Sequence, residues 1–227
     1  GGSAVSNTDG SITSSVSANT KAGFSIVNWT SDGSTSNGVG HGLGAKPDLA
    51  IYKRLDSTSD WYAIFDVLDG SFDRLKLNDT SVLANAVGYG TMLDTNTISN
   101  FSWPSSASIL AYCFRSIDGY SKVGTYSGNG SANGSFVYTG FRPSWVMLKR
   151  TDTTGSWSIL DIKRDTSNVM GSELFADLSN TEQSNSSDID FVSNGFKFRR
   201  NYTDNNSSGT YIYLAFADQP FKYSNAR

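Results

Sequence analysis

Pro47-Asp-Leu-Ala-Ile-Tyr-Lys-Arg-Leu-Asp-Ser-Thr-Ser-Asp-Trp61 is repeated 96 residues later as Pro143-Ser-Trp-Val-Met-Leu-Lys-Arg-Thr-Asp-Thr-Thr-Gly-Ser-Trp157. Six of the fifteen positions are identical, where about one would coincide by chance, so the chain carries an internal duplication. The match extends outward with small gaps. Ile64-Phe65-Asp66 answers Ile159-Leu160-Asp161, the run before Phe114 answers the run before Phe216, and Phe24 to Trp29 corresponds to Lys122 to Tyr126. Two copies of about 100 residues then account for nearly all of the 227, a length suited to small repeated domains.

Within each copy, apolar runs of four to eight residues alternate with Gly, Asn, Asp and Ser clusters, the pattern of strands joined by turns. Strands are expected in copy one near Phe24–Trp29, Asp48–Arg54, Trp61–Val67, Arg74–Leu77, Thr97–Trp103 and Ser108–Arg115. Copy two is expected to supply Lys122–Tyr126, Ser135–Tyr138, Ser144–Arg150, Trp157–Ile162, Phe191–Phe198 and Thr210–Ala217. Leu49–Tyr52 and Trp145–Leu148 are continuously apolar, as suits a central strand covered on both faces. One short helical turn is expected near Ser172 to Leu178. The fold class is therefore all-β: two tandem related antiparallel β-sandwich repeats of jelly-roll or concanavalin-like type, or one sandwich built from two halves. The expected bounds are residues 22–117 for the first repeat and 118–227 for the second. Residues 1–21, with no aromatic side chain, read as a linker or edge segment.

Composition agrees with that class. Gly, Ser, Thr and Asn supply 96 residues, while aromatics still make up 13%, enough to fill small cores between many turns. The net charge is −3, and basic residues gather only in pairs such as Lys53-Arg54, Lys149-Arg150, Lys163-Arg164 and Arg199-Arg200. Nucleic-acid binding needs a concentrated positive face, so no nucleic-acid partner is expected. No apolar run is long enough to suggest a spanning helix, so no membrane insertion is expected. The Gly-Gly-Ser opening suggests a piece cut from a longer polypeptide.

Residues able to do chemistry are few. Cys113 is the sole cysteine, and its apolar setting marks it as a small core residue. His41 is the sole histidine, in Gly38-Val-Gly-His-Gly-Leu-Gly44, where the glycines argue for a turn or bulge; copy two has Phe136-Val-Tyr-Thr-Gly140 there, without a histidine. Only two glutamates occur, Glu173 and Glu182, and aspartates such as Asp56, Asp69, Asp118 and Asp204 stand in turn-forming company. Asp94-Thr-Asn96 and Asp204-Asn-Asn206 offer oxygens but lack the alternation of a calcium loop. No catalytic residue, cofactor or metal is expected. The repeated Lys-Arg pairs are expected at solvated strand ends, and the recurrent Trp61 and Trp157 in packing. For ligand binding, Tyr89, Trp103 and Tyr202 are the candidates, since the first two lack a counterpart in copy two and the third sits in a polar turn.

Several longer phrases carry a resemblance: Gly1-Gly-Ser-Ala-Val-Ser-Asn-Thr-Asp-Gly-Ser-Ile-Thr13, Gly119-Tyr-Ser-Lys-Val-Gly-Thr-Tyr-Ser-Gly-Asn-Gly130, Phe136-Val-Tyr-Thr-Gly-Phe-Arg-Pro-Ser-Trp-Val-Met-Leu-Lys149 and Tyr211-Ile-Tyr-Leu-Ala-Phe-Ala-Asp-Gln-Pro-Phe-Lys222. Together they resemble C-terminal repeat modules of bacteriophage virion proteins of the marine and cyanobacterial phage type, which follow SPRY-like or concanavalin-like domains in tail-fibre proteins. The resemblance implies a β-sandwich in a virion appendage, a strand-turn-strand element at Asp190–Phe198, other virion proteins as partners, host-surface glycan as ligand and a homo-oligomer, a trimer being usual in fibres. It transfers no catalytic residue. A capsid-decoration or assembly module and, third, a polysaccharide-degrading enzyme stand as the alternatives.

Overall fold

The computed structural model describes residues 2–85, 92–184 and 189–219. Every regular element among them is a β-strand, and no helix is long and apolar enough to cross a membrane. The chain forms two compact units, Gly1–Lys76 with Ala84–Ser116, and Leu77–Leu83 with Ile117–Arg227.

The first unit contains β1 (Val5–Asn7), β2 (Ser14–Asn19), β3 (Phe24–Thr30), β4 (Gly38–Gly40), β5 (Leu49–Arg54), β6 (Trp61–Phe65), β7 (Asp73–Lys76), β8 (Ala84–Asn85), β9 (Thr97–Ser99) and β10 (Ser108–Phe114). Eight of these make one sheet in the order β1-β2-β3-β10-β5-β6-β7-β8, and β4 pairs with β9 in a small second sheet. Alternation in β3 and β10 turns Val27, Trp29, Ile109, Ala111 and Cys113 inward, where they meet Val39 and Ile98 of the small sheet. Residues 1–21 are not a free tether: β1 and β2 extend the large sheet beyond β3.

The second unit contains β11 (Ser121–Gly128), β12 (Phe136–Tyr138), β13 (Pro143–Arg150), β14 (Trp157–Asp161), β15 (Leu174–Phe175), β16 (Ile189–Val192), β17 (Gly195–Phe198) and β18 (Gly209–Ala217). Its sheets are β11-β18-β13-β14-β15 and β12-β17-β16. Between them lie Tyr126, Val146, Leu148, Tyr211 and Tyr213 from the large sheet, and Val137, Phe191, Phe196 and Phe198 from the small one. Each unit is thus a β-sandwich with its own core.

The duplication is visible in register. The order β3-β10-β5-β6-β7 is reproduced as β11-β18-β13-β14-β15. Lys53 faces Trp61 as Lys149 faces Trp157, and Ala111 faces Val27 as Tyr213 faces Gly124. Arg54 binds Asp56 at 2.6 Å, and Arg150 binds Asp152 at 2.8 Å, closing the same turn twice. The repeated Lys-Arg-x-Asp phrase is therefore a strand end followed by a clamped turn.

Four expectations need correction. Ser172 to Leu178 is not helical; Leu174–Phe175 pairs with β14 as β15. Phe191–Phe198 is not one strand but a hairpin turning at Ser193-Asn194, the strand-turn-strand element that the resemblance implied. The strand expected over Thr97–Trp103 stops at Ser99, because Phe101 and Trp103 turn into the core. Leu77–Leu83 belongs with the second unit, where the Leu83 N–H donates to Thr151 O (3.0 Å) and the Gly155 N–H donates to Thr80 O (3.1 Å).

Candidate functional site

In the first unit, β4 is sandwiched between two partners. Antiparallel pairing to β9 uses one edge. On the other, the Ile12 N–H donates to Gly38 O (3.1 Å), the Ser14 hydroxyl donates to Gly40 O (2.7 Å), and Ile12 forms a parallel bridge with Val39. Glycine is required beneath this cover. A Cβ on Gly40 would stand 1.7 Å from Asn7 Oδ1, and one on Gly10 would stand 2.2 Å from Gly38 O.

The matching strand of the second unit has no such cover among the described residues. β12 is the edge of its sheet, paired only with β17. Val137 turns inward like Val39, but the glycines are replaced by Phe136 and Tyr138, which are 48% and 60% exposed. Two positions apart on one strand, their side chains leave the same face of β12 from Cα atoms about 7 Å apart. Phe136 lies against Gly195, where a Cβ would stand 3.1 Å from its Cε2, while the side chain stays about half exposed. The Lys122 ammonium donates to Tyr138 O (3.1 Å) and lies 5.3 Å from that ring's centre. Lys197 is the cross-strand partner of Phe136, and its ammonium donates to Gly134 O (2.8 Å). The result is an aromatic pair flanked by two cations.

The three residues expected to bind ligand are not brought together here. Trp103 is buried in the first core against Phe101 and Tyr62, with ring centres 5.5 and 5.8 Å away, and offers no open ring face. Tyr202 is half-buried beneath the Arg200 guanidinium, 5.9 Å from its ring centre, and its backbone oxygen accepts from the amides of Asn205, Asn206 and Ser207. Tyr89 lies outside the described residues. Phe136 and Tyr138 carried a usable signal: their alternation with Val137 stands where copy one has Gly-Val-Gly. What exposes them is the missing cover, and that is a matter of tertiary structure.

The reactive side chains hold the frame. His41 is fully buried; its Nδ1 accepts the Leu43 N–H (3.2 Å), and its Nε2 donates to Asp94 O (3.1 Å). Burial holds its pKa below the usual 6.5, so the ring stays neutral. Gly42 and Gly44 next to it have φ of +70° and +66°, the conformations a tight bulge demands. Cys113 is buried at 0% exposure, and desolvation pushes its thiol up to about 12.

Lys149 departs from the solvated strand end expected for it. It is completely buried and donates to Arg150 O (2.8 Å) and Thr80 O (3.4 Å). Burial lowers its pKa, while the nearby carboxylates of Asp177, Asp204 and Asp79 favour its charged form. Asp204, read as a turn residue, accepts the Ser156 N–H (3.1 Å), and Asp177 accepts the Trp157 N–H (2.9 Å). Burial raises the pKa of Asp204 despite that lysine. The cluster ties three distant segments to the start of β14, and its hydrogen bonds are directed at backbone. A cleft of about 430 Å³ in the first unit, bordered by Asn7, Asp9, Val16, Gly42 and Asn96, contains no aromatic wall. Among the described residues no three His, Cys, Asp or Glu side chains converge as metal ligands.

The family model described as "Domain of unknown function (DUF7483)" matches residues 1–220, and the chain belongs to that family. No curated protein and no solved structure matches it.

Proposed function

We propose that this member of the DUF7483 family is a non-catalytic adhesion module of a bacteriophage virion, in a tail fibre or related appendage, and that it binds host-surface glycan on the Phe136–Tyr138 face of β12. One observation carries the glycan reading. At the same position of the duplicated fold, copy one has glycines under its own chain and copy two has two exposed rings at an open edge. Two exposed rings side by side, at 48% and 60%, form the kind of contiguous apolar patch that marks a binding surface. Ring faces stack on the C–H faces of sugars, and neighbouring polar groups bond the hydroxyls.

The phage setting rests on the resemblance of the long phrases at residues 1–13, 119–130, 136–149 and 211–222. The absence of catalysis is supported by His41 and Cys113, which are buried in structural roles. A site of two rings binds weakly alone, and several copies per virion would raise the avidity by about 10²–10⁴-fold.

The test is binding of host-envelope polysaccharide to the purified chain, measured by affinity electrophoresis. Retardation is expected for the wild type and should be lost in the Phe136→Ala, Tyr138→Ala double variant with its thermal melt unchanged. Equal retardation of both proteins would overturn the assignment of the site. Release of new reducing ends during the incubation would overturn the non-catalytic reading.

A further inference from the structure

We infer that the glycan bound at β12 is acidic, carrying carboxylate or sulfate groups along its chain. This rests on the glycan reading and adds the ligand's charge to it.

The charges around the two rings are lopsided. Lys122 touches Tyr138 from one side, and Lys197 stands across from Phe136 on the other. An ammonium group has three N–H donors. The backbone oxygens of Tyr138 and Gly134 account for one donor on each lysine, leaving others for a ligand anion. Among the described residues, Asp190, cross-strand from Lys197, is the carboxylate of this face; its Oδ2 accepts from Arg199 Nε at 2.5 Å, and the side chain is nearly buried. Among the described residues, counting Lys122, Lys197 and Arg199 against Asp190 leaves the face with two positive charges, on a chain whose net charge is −3.

That local reversal of sign is what an anionic ligand would select. A neutral glycan would gain only stacking and hydroxyl contacts. The corresponding edge in the first unit shows the contrast, since Asp9 is the only charged side chain among residues 7–14 that cover β4. Rings set the sugar's orientation, and the lysines set the spacing of its anions.

Two matched pairs of probes test this: oligogalacturonate against its methyl ester, and dextran sulfate against dextran, each titrated by calorimetry at low and high salt. The charged member of at least one pair should bind about tenfold more tightly at low salt, and the advantage should shrink as salt rises. Which pair shows it identifies carboxylate or sulfate as the recognised group. Lys122→Met and Lys197→Met, which keep the aliphatic stems, should each cut the advantage several-fold with the fold intact. Equal binding of charged and neutral members by the wild type overturns the charge inference and leaves the glycan reading standing. Binding of none of the four by folded protein overturns the glycan reading itself. An advantage that survives in the Phe136→Ala, Tyr138→Ala variant, or in both lysine variants, places the attraction elsewhere and also overturns the inference.

Discussion

His41 and Thr139 hold the same place in the two repeats and do the same work. The Leu43 amide donates to His41 Nδ1, and the Phe141 amide lies 3.4 Å from Thr139 Oγ1, each bond closing a bulge whose next residue, Gly42 or Gly140, has positive φ. The only histidine of the chain is thus exchangeable in principle. We expect His41→Ala to cost ~2–3 kcal/mol through a cavity and an orphaned amide, and His41→Thr to recover about 1 kcal/mol of that. The pH dependence also has a definite sign. A histidine held below 6.5 in the fold leaves the unfolded chain binding more protons, so its contribution is present above 6.5 and is lost as pH falls below it. Urea titrations at pH 7.5 and 5 should show this acid slope in the wild type and a flatter one in His41→Thr; an unchanged slope would refute the assignment. Asp73 works in the opposite direction. It is 3% exposed on β7, and burial, then the charges of Asp69 and Asp66, push it up to about 6. Its contribution is fully present below 3.8 and is lost as pH rises through about 6. Asp73→Asn should therefore stabilise the protein by ~1–2 kcal/mol at pH 7.5 and change little at pH 4 in the same titrations. A loss of stability at pH 7.5 would show that the carboxylate makes a favourable contact there.

Strands differ in how plainly their residues announce them. β3, β5, β6, β10 and their counterparts are continuous or alternating apolar runs, and their positions could be read directly. β1 and β2 were legible only as a linker or edge segment, because an edge strand needs only a few inward positions: in Ser14–Asn19 the side chains of Ser14 and Val16 are buried, and the others are small. β4, Gly-Val-Gly, hides for a different reason, since its composition answers to the chain lying over it. Buried asparagines were equally hidden in an Asn-rich sequence. Asn100 donates to Ser34 O (3.0 Å) and accepts from Trp29 Nε1 (2.8 Å), while Asn206 donates to Ser131 O (2.8 Å), each holding the loop before the small sheet's first strand. The candidate site inherits this difficulty, because exposure of Phe136 and Tyr138 follows from a covering segment that one repeat has and the other lacks. Exchanging residues between the two strands tests that account. Gly40→Tyr should force residues 7–14 off β4, costing more than ~2 kcal/mol and speeding amide exchange across residues 12–19. Tyr138→Gly should change stability by less than ~1 kcal/mol, since the side chain is largely in water. Normal protection of residues 12–19 in Gly40→Tyr would mean that the cover is not what demands glycine.

Over the whole chain, the duplication is obeyed in five strands of each large sheet and broken, besides the cover of β4, at one buried cation. Lys53 and Lys149 hold equivalent registers, yet Lys53 is half-buried with its ammonium donating to Ser59 O and lying 5.5 Å from the Trp61 ring centre, whereas Lys149 is sealed in. The difference comes from Leu77–Leu83, a stretch of copy-one sequence that folds with copy two and supplies Thr80 O and the Asp79 charge. A buried ion cluster is a poor source of net stability but is damaging to break, because the remaining charges keep their desolvation cost. Lys149→Met should therefore cost ~2–4 kcal/mol, against less than ~1 kcal/mol for Lys53→Met, whose surroundings stay wet. Hydrogen exchange then reports how far the damage spreads. The amides of Leu83, Gly155, Ser156 and Trp157, which bond to Thr151 O, Thr80 O, Asp204 and Asp177, should lose protection first. β3, β5 and β10 should keep theirs, because their cross-strand bonds and core lie in the other unit. Equal loss in β3, β5 and β10 would show instead that the two sandwiches unfold as one cooperative body.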